Sequence, residues 1–159
     1  MAGAGPSKEG VVAVLEDDQG RYLFIKRGAA VRRSPGWWCF VGGEVDPGET
    51  LEAAMAREVR EEVGLDVRIL EKVHECFSPN GEYRLHWFRA RLSSPGQQAV
   101  PHPVEVAELR WLSLAEAVAL DPMLPGLREW LLARPQIEGR SSGARQADPP
   151  EEPVTRQRS

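Results

Sequence analysis

Residues 43–65 read GEVDPGETLEAAMAREVREEVGL, a glycine- and proline-bearing turn that feeds a short helix carrying Glu58, Glu61 and Glu62 along one side. At about 100° per residue those three side chains fall within roughly a 100° arc. Leu51, Met55, Val59 and Val63, each four apart, form the adjoining apolar stripe. The helix is therefore expected to dock by one face and to offer a hard divalent cation a cage on its neighbour. Gly42, Gly43, Asp46, Pro47 and Gly48 place a constrained turn ahead of it, Glu49 or Thr50 can cap its exposed amides, and Gly64 ends it.

Crowded carboxylates need a reason. Exposed like charges at i,i+4, the spacing of Glu58 and Glu62, repel and cost about 0.2 to 0.5 kcal/mol per pair. A bound dication reverses that sign. Magnesium takes oxygen ligands, keeps several waters and is shared between protein carboxylates and substrate phosphates. Arg57, four residues before Glu61, can pair with it and orient it. An acidic run on a helix is usually a solvated face. What distinguishes this one is the turn, which brings backbone and carboxylates together.

Gly43, Glu49, Arg57, Glu58, Val59, Glu61, Glu62, Gly64 and Leu65 fill every required position of Gly-x5-Glu-x7-Arg-Glu-U-x-Glu-Glu-x-Gly-U, where U is aliphatic. The stretch thus resembles the Nudix box. Flanking features are similar to the family too: Trp38 and Gly42-Gly43 upstream, and Glu105, Glu108 and Trp111 at three-residue spacing downstream. Val41 departs from the proline many members carry there, which relaxes the turn and removes no ligand. The resemblance implies an α/β Nudix fold, an α/β/α sandwich with a mixed β-sheet, with the box helix on one face and the C-terminal helix on the other.

The resemblance also implies MutT-like chemistry: Mg2+-dependent hydrolysis of a nucleoside diphosphate linked to another group, with Mn2+ able to substitute. By resemblance Glu58 and Glu62 are the first-choice metal ligands, Glu61 a further ligand or its support, and the Gly42 carbonyl a backbone ligand. Glu58, or a glutamate outside the box, activates water. Glu105 is the preferred outside candidate, and Glu108 reads as a solvated charge. The catalytic set is then Glu58, Glu61, Arg57 and Glu105. A nucleoside triphosphate, oxidised or not, leads as substrate. Pro79 hints at ADP-ribose and Tyr83 at dinucleoside polyphosphates, and the two hints cancel. A nucleotide-sensing module without catalysis is the other class, disfavoured because every box glutamate is present. A diphosphate isomerase would need a cysteine motif that Cys39 and Cys76 do not form.

Composition agrees with one modest domain over residues 1–134. The chain has 159 residues, 42% apolar and 28% charged, enough for a single core without disulfides. Two cysteines do not make a secreted scaffold, so a reducing cytoplasm is expected. The start MAGAGPSKEG lacks a basic segment followed by an apolar one, and no run approaches a membrane span. Net charge is −4, and the seven acidic and two basic residues between 43 and 65 account for it. Such a balance suits a small phosphate ester and not a long nucleic acid. A small-molecule nucleotide is thus the expected partner, for a monomer or homodimer.

Along the chain, Val11–Leu15 and Tyr22–Ile25 predict a β-hairpin around Asp17-Asp18-Gln19-Gly20, whose aspartates read as turn residues and not as a calcium loop. Trp38–Val41 predicts a strand leading into the box, with Cys39 a core thiol. Lys26, Arg27, Arg32 and Arg33 form a basic cluster in which Arg27 and Arg33 are the phosphate-binding candidates and the rest read as solvated. Trp37 can stack a base, and Trp38 reads as core. Val67–Phe77 and Tyr83–Leu92 predict strands around Ser78-Pro79-Asn80-Gly81, and Leu109–Leu112 another. Helices are expected over Ser113–Leu120 and Met123–Ala133. His74, His86 and His102 have no metal-site spacing and read as structural. Residues 135–159 are rich in proline, glycine, arginine, glutamate and serine and are expected to be a disordered tail.

Overall fold

The computed structural model describes residue 5 and residues 7–134, so the expected tail lies outside the described residues. Strand β1 (Lys8–Glu16) is the spine. It runs parallel to β6 (Tyr83–Leu92) along its whole length, and β5 (Val67–Phe77) adds to β6 antiparallel. On its other side β1 pairs antiparallel with β4 (Val41–Glu44) and, at its end, with β2 (Tyr22–Arg27). The two-residue strand β3 (Trp38–Cys39) and β7 (Val106–Leu112) both pair with β2. One parallel pairing among antiparallel ones makes the sheet mixed, as expected. In the β1–β2 turn, the Asp17 carboxyl accepts from the Gln19 and Arg21 amides and from Arg21 Nε, each at 2.9 Å, which accounts for its turn role.

Helix α1 (Leu51–Val63) begins at Thr50, whose hydroxyl accepts from the Ala53 amide at 3.1 Å, and ends at Gly64 with φ 66°. Between Glu49 and Thr50, it is Thr50 that caps. Met55, Val59 and Val63 are buried together with Ala54, and α1 packs on β1, β4 and β5. Each such aliphatic side chain contributes about 1.5 to 3 kcal/mol by leaving water. Gly43 faces α1, whereas Phe40, of opposite strand parity, packs edge-on against Trp130 of α3 (Leu127–Leu132) at 5.8 Å between centroids. Phe24 stacks on Phe40, and Trp87 meets both Phe40 and Trp130. The sheet is thus covered on both sides, a thick layer at α1 and a thin one at α3.

Three expectations are corrected in detail. The strand over 38–41 divides at Phe40, because Trp38 and Cys39 pair with β2 while Val41 onward pairs with β1. Helix α2 is only Leu114–Ala117, capped by Ser113 and Glu116 in a capping box. Helix α3 starts at Leu127 and not near Met123. Its would-be first turn is taken by β3: Trp38 donates to the Pro122 carbonyl at 2.8 Å and accepts from the Leu124 amide at 3.1 Å. Backbone committed to that bridge is not available to a helix.

Candidate active site

The turn and the helix are bolted together by one guanidinium. Arg57 Nε donates to Glu49 Oε2 at 2.9 Å, and Nη2 to Glu49 Oε1 at 3.0 Å and to the Glu44 carbonyl at 2.9 Å. Its Nη1 reaches Glu58 Oε1 at 2.9 Å and Glu61 Oε2 at 3.2 Å. Arg57 is thereby kept charged, and it holds the Glu49 carboxyl below the usual range. The expected pairing with Glu61 is present, but it is one of several. Opposite the guanidinium, Glu58 lies flat against Gly43, where an added Cβ would overlap its carboxyl group.

Glu58 and Glu62 are withdrawn from water with too little positive charge. Burial pushes Glu58 up to about 7, against the pull of Arg57 and with help from Glu61 and Glu105. Burial pushes Glu62 up to about 8, aided by Glu58 and Glu105 and opposed by the Gly42 amide and Arg27. Glu62 Oε2 is shielded from solvent and has no hydrogen-bond partner. The donor set is hard oxygen throughout, and an orphaned buried carboxylate oxygen is what a divalent cation would satisfy, so the residues fit magnesium. The cage is not preassembled, however: among the described residues no three His, Cys, Asp or Glu side chains are already converged on one cation position. Arg57 draws Glu58 and Glu61 toward itself, while Glu62 turns inward to Gly42.

Of the remaining sequence candidates, the structure brings Arg27 and Glu105 to the carboxylates. Arg27 opposes the charge of Glu62 and sits beside Cys39, while its Nε donates to the Arg33 carbonyl at 2.7 Å. Burial pushes the Cys39 thiol up to about 11, which keeps it a core thiol. Glu105 acts on both Glu58 and Glu62 from the loop before β7. Gly42 meets the site through its N–H. The Arg33 guanidinium is turned elsewhere, to Glu82 at 2.9 Å and over the Tyr83 ring at 4.6 Å. Trp37 is half-buried and accepts the Arg27 amide on its carbonyl. Trp38 is buried, and Glu108 pairs with Arg110 at 2.7 Å. A cleft of about 370 Å3 opens along the turn, lined by Lys8, Glu9, Glu44 and residues 45–49, to one side of Glu58 and Glu62.

Sequence reasoning missed Glu49 as the main partner of Arg57 and His102 as a cap. The box spacing marks Glu49, so a signal was present. Nothing marks His102, because histidine is not among the usual capping residues.

A two-sided sandwich on a mixed sheet, with a glycine turn abutting a carboxylate-edged helix, defines a protein of the Nudix fold. The NUDIX domain model matches residues 6–133, and the chain belongs to that family. It is similar to an "NAD-capped RNA hydrolase NudC" of Stutzerimonas stutzeri, 35% identical over 110 residues, covering 69% of this chain and 37% of that protein. It is also similar to a "Putative 8-oxo-dGTP diphosphatase" of Bacillus subtilis, 30% identical over 105 residues, 66% of either chain. The chain thus spans just over a third of the former and about two thirds of the latter. A MutT protein structure from Methanosarcina mazei superposes with TM-score 0.71 at 21% identity, over 84% of this chain and 96% of that one, which establishes the fold.

Proposed function

We propose that the chain hydrolyses the phosphoanhydride of a nucleoside diphosphate derivative, most directly a (deoxy)nucleoside triphosphate or an oxidised form of one, with Mg2+ as cofactor and Mn2+ as a substitute. The observation that carries this reading is the orphaned Glu62 Oε2 beside half-buried Glu58, a pair of carboxylates held short of counter-charge. Mg2+ bound there would neutralise phosphate oxygens and orient and acidify the attacking water. Glu58, Glu62 and the Gly42 carbonyl would hold it, with Glu61 as further ligand or support. Arg57 keeps Glu58 and Glu61 in place, and Glu105 or Glu58 takes the proton from water. Arg27 would face the substrate phosphates, with Trp37 under the base.

Charge supports a small nucleotide as partner over a long nucleic acid. Net charge is −4, and no helix among the described residues is long and apolar enough to cross a membrane. Cys39 and Cys76 are both free thiols, which accords with a reducing cytoplasm.

The test is product analysis after incubation with Mg2+ and a panel of dNTPs, 8-oxo-dGTP, ADP-ribose, diadenosine tetraphosphate, nucleotide sugars and NAD. Release of a nucleoside monophosphate and pyrophosphate from a triphosphate is expected. Cleavage confined to ADP-ribose, diadenosine tetraphosphate or NAD would replace the substrate class. Saturable binding of every compound without turnover would make the chain a nucleotide-sensing module instead.

A further inference from the structure

We infer that His102 is a positioning residue, whose ring caps one turn of chain and so sets where the Glu105 carboxylate stands relative to Glu62. The inference rests on the assignment of Glu105 to the reaction made above. Glu105 is exposed and lies in a long connection between β6 and β7 that has proline at 95, 101 and 103. A glutamate in such a loop would ordinarily sweep a wide volume. Its main chain is instead held from three directions.

The first hold is the imidazole. His102 Nδ1 accepts from the Val104 amide at 3.2 Å and from the Glu105 amide at 3.1 Å, while the His102 carbonyl accepts from Val106 at 3.1 Å. That is the work of an N-cap side chain, which takes the amides two and three residues on, done here by a ring nitrogen. Accepting at Nδ1 places the ring hydrogen on Nε2. The second hold is α1. The His102 amide donates to the Glu62 carbonyl and the Val100 amide to the Val63 carbonyl, both at 2.8 Å, so the loop satisfies carbonyls the helix end leaves open. The third hold is Gly28, whose amide donates to the Glu105 carbonyl at 2.8 Å and whose missing side chain leaves room for the Val104 carbonyl.

His102 thus joins Glu62 by its backbone to Glu105 by its ring. Without the ring acceptor, the 103–105 segment keeps its two outer anchors and loses the contact that sets the turn between them. The carboxylate then spreads over more positions, and the chemical step slows while substrate binding does not.

The experiment compares His102→Ala, His102→Asn, Glu105→Gln and the His102→Ala/Glu105→Gln pair in the full chain. Each is assayed with Mg2+ and whichever of dGTP, ADP-ribose or NAD the native protein cleaves. His102→Ala is expected to lower kcat by roughly 10- to 100-fold with KM nearly unchanged, the scale of a small misplacement of a reacting group. His102→Asn, whose Oδ1 can accept the same two amides, should restore most of the lost rate. His102→Ala should add little once Glu105 is already Gln. A native kcat in His102→Ala, a His102→Asn as slow as His102→Ala, or fully multiplicative losses in the double variant would each overturn the inference. A slow Glu105→Gln beside a native-rate His102→Ala removes only the role of His102. A native-rate Glu105→Gln removes Glu105 from the reaction and this inference with it.

Discussion

Glu16 and Glu62 are both acidic side chains drawn out of water, and the fold treats them in opposite ways. Glu16, at the end of β1, is 4% exposed and is met by Arg89 at 3.4 Å and Arg91 at 3.6 Å, while Arg89 is held in turn by Glu71 at 2.6 Å. Glu62, on α1, has Glu58 and Glu105 as charged neighbours, Arg27 in opposition, and an oxygen with no partner. The first arrangement is a closed clasp that ties β1 to β5 and β6. The second stores repulsion that stability alone would not select, and uncompensated burial of this kind marks sites of chemistry.

The comparison breaks most sharply under neutralisation. Glu62→Gln and Glu58→Gln should each lower kcat at least about 100-fold, since charge stabilisation through the cation is the main effect. Glu16→Gln should leave kcat near the native value. Steady-state kinetics on all three separates the two regions, and equal losses would erase the distinction. For stability the order reverses. Glu16→Gln should cost on the order of 2 kcal/mol in denaturant unfolding, because Arg89 and Arg91 lose a charged partner, whereas Glu62→Gln should cost nothing without metal at pH 8.

A smaller effect is expected from Gly43→Ala. The added methyl displaces the Glu58 carboxyl and should lower kcat about 10-fold, equivalent to about 1.4 kcal/mol, and a native rate would show that Glu58 has room to spare. A separate effect is the pH dependence of the metal-free protein. Glu58 and Glu62 hold protons up to about 7 and about 8 in the fold, against 4.5 ordinarily, so the folded chain binds more protons than the unfolded one between those values. Stability therefore falls as pH rises from about 4.5 to about 8 and levels off above. Thermal melts with EDTA should show a lower Tm at pH 8.5 than at pH 5.5 from these two groups, compared with a Glu58→Gln/Glu62→Gln double variant that lacks the difference. Mg2+ should recover the loss at pH 8.5, and a Tm indifferent to Mg2+ there would count against the site.

Much of the molecule was legible in the chain. The hairpin at Asp17–Gly20, the turn at Ser78–Gly81, the long pair β5–β6 and the box helix all lie where spacing and turn residues placed them. What spacing could not show was competition for backbone. Met123 and Leu124 look helical by pattern, yet Trp38 claims that stretch for a bridge. The 38–41 run looks like one strand, yet its halves belong to different partners. Arg33 looked like a phosphate ligand, and Tyr83 and Glu82 engage it from far along the chain.

By itself the sequence determined helix α1, its stop at Gly64, its apolar stripe and the three glutamates beside it. All of these depend on intervals of a few residues, which the backbone period converts directly into faces. Only the tertiary structure decided that Arg57 would gather Glu49 and Glu58 as well as Glu61, that Glu62 would keep an oxygen without a partner, and that the His102 ring would cap the Glu105 amide. Counter-charge and desolvation are set by whichever elements meet in space, and those elements are remote from one another in the chain.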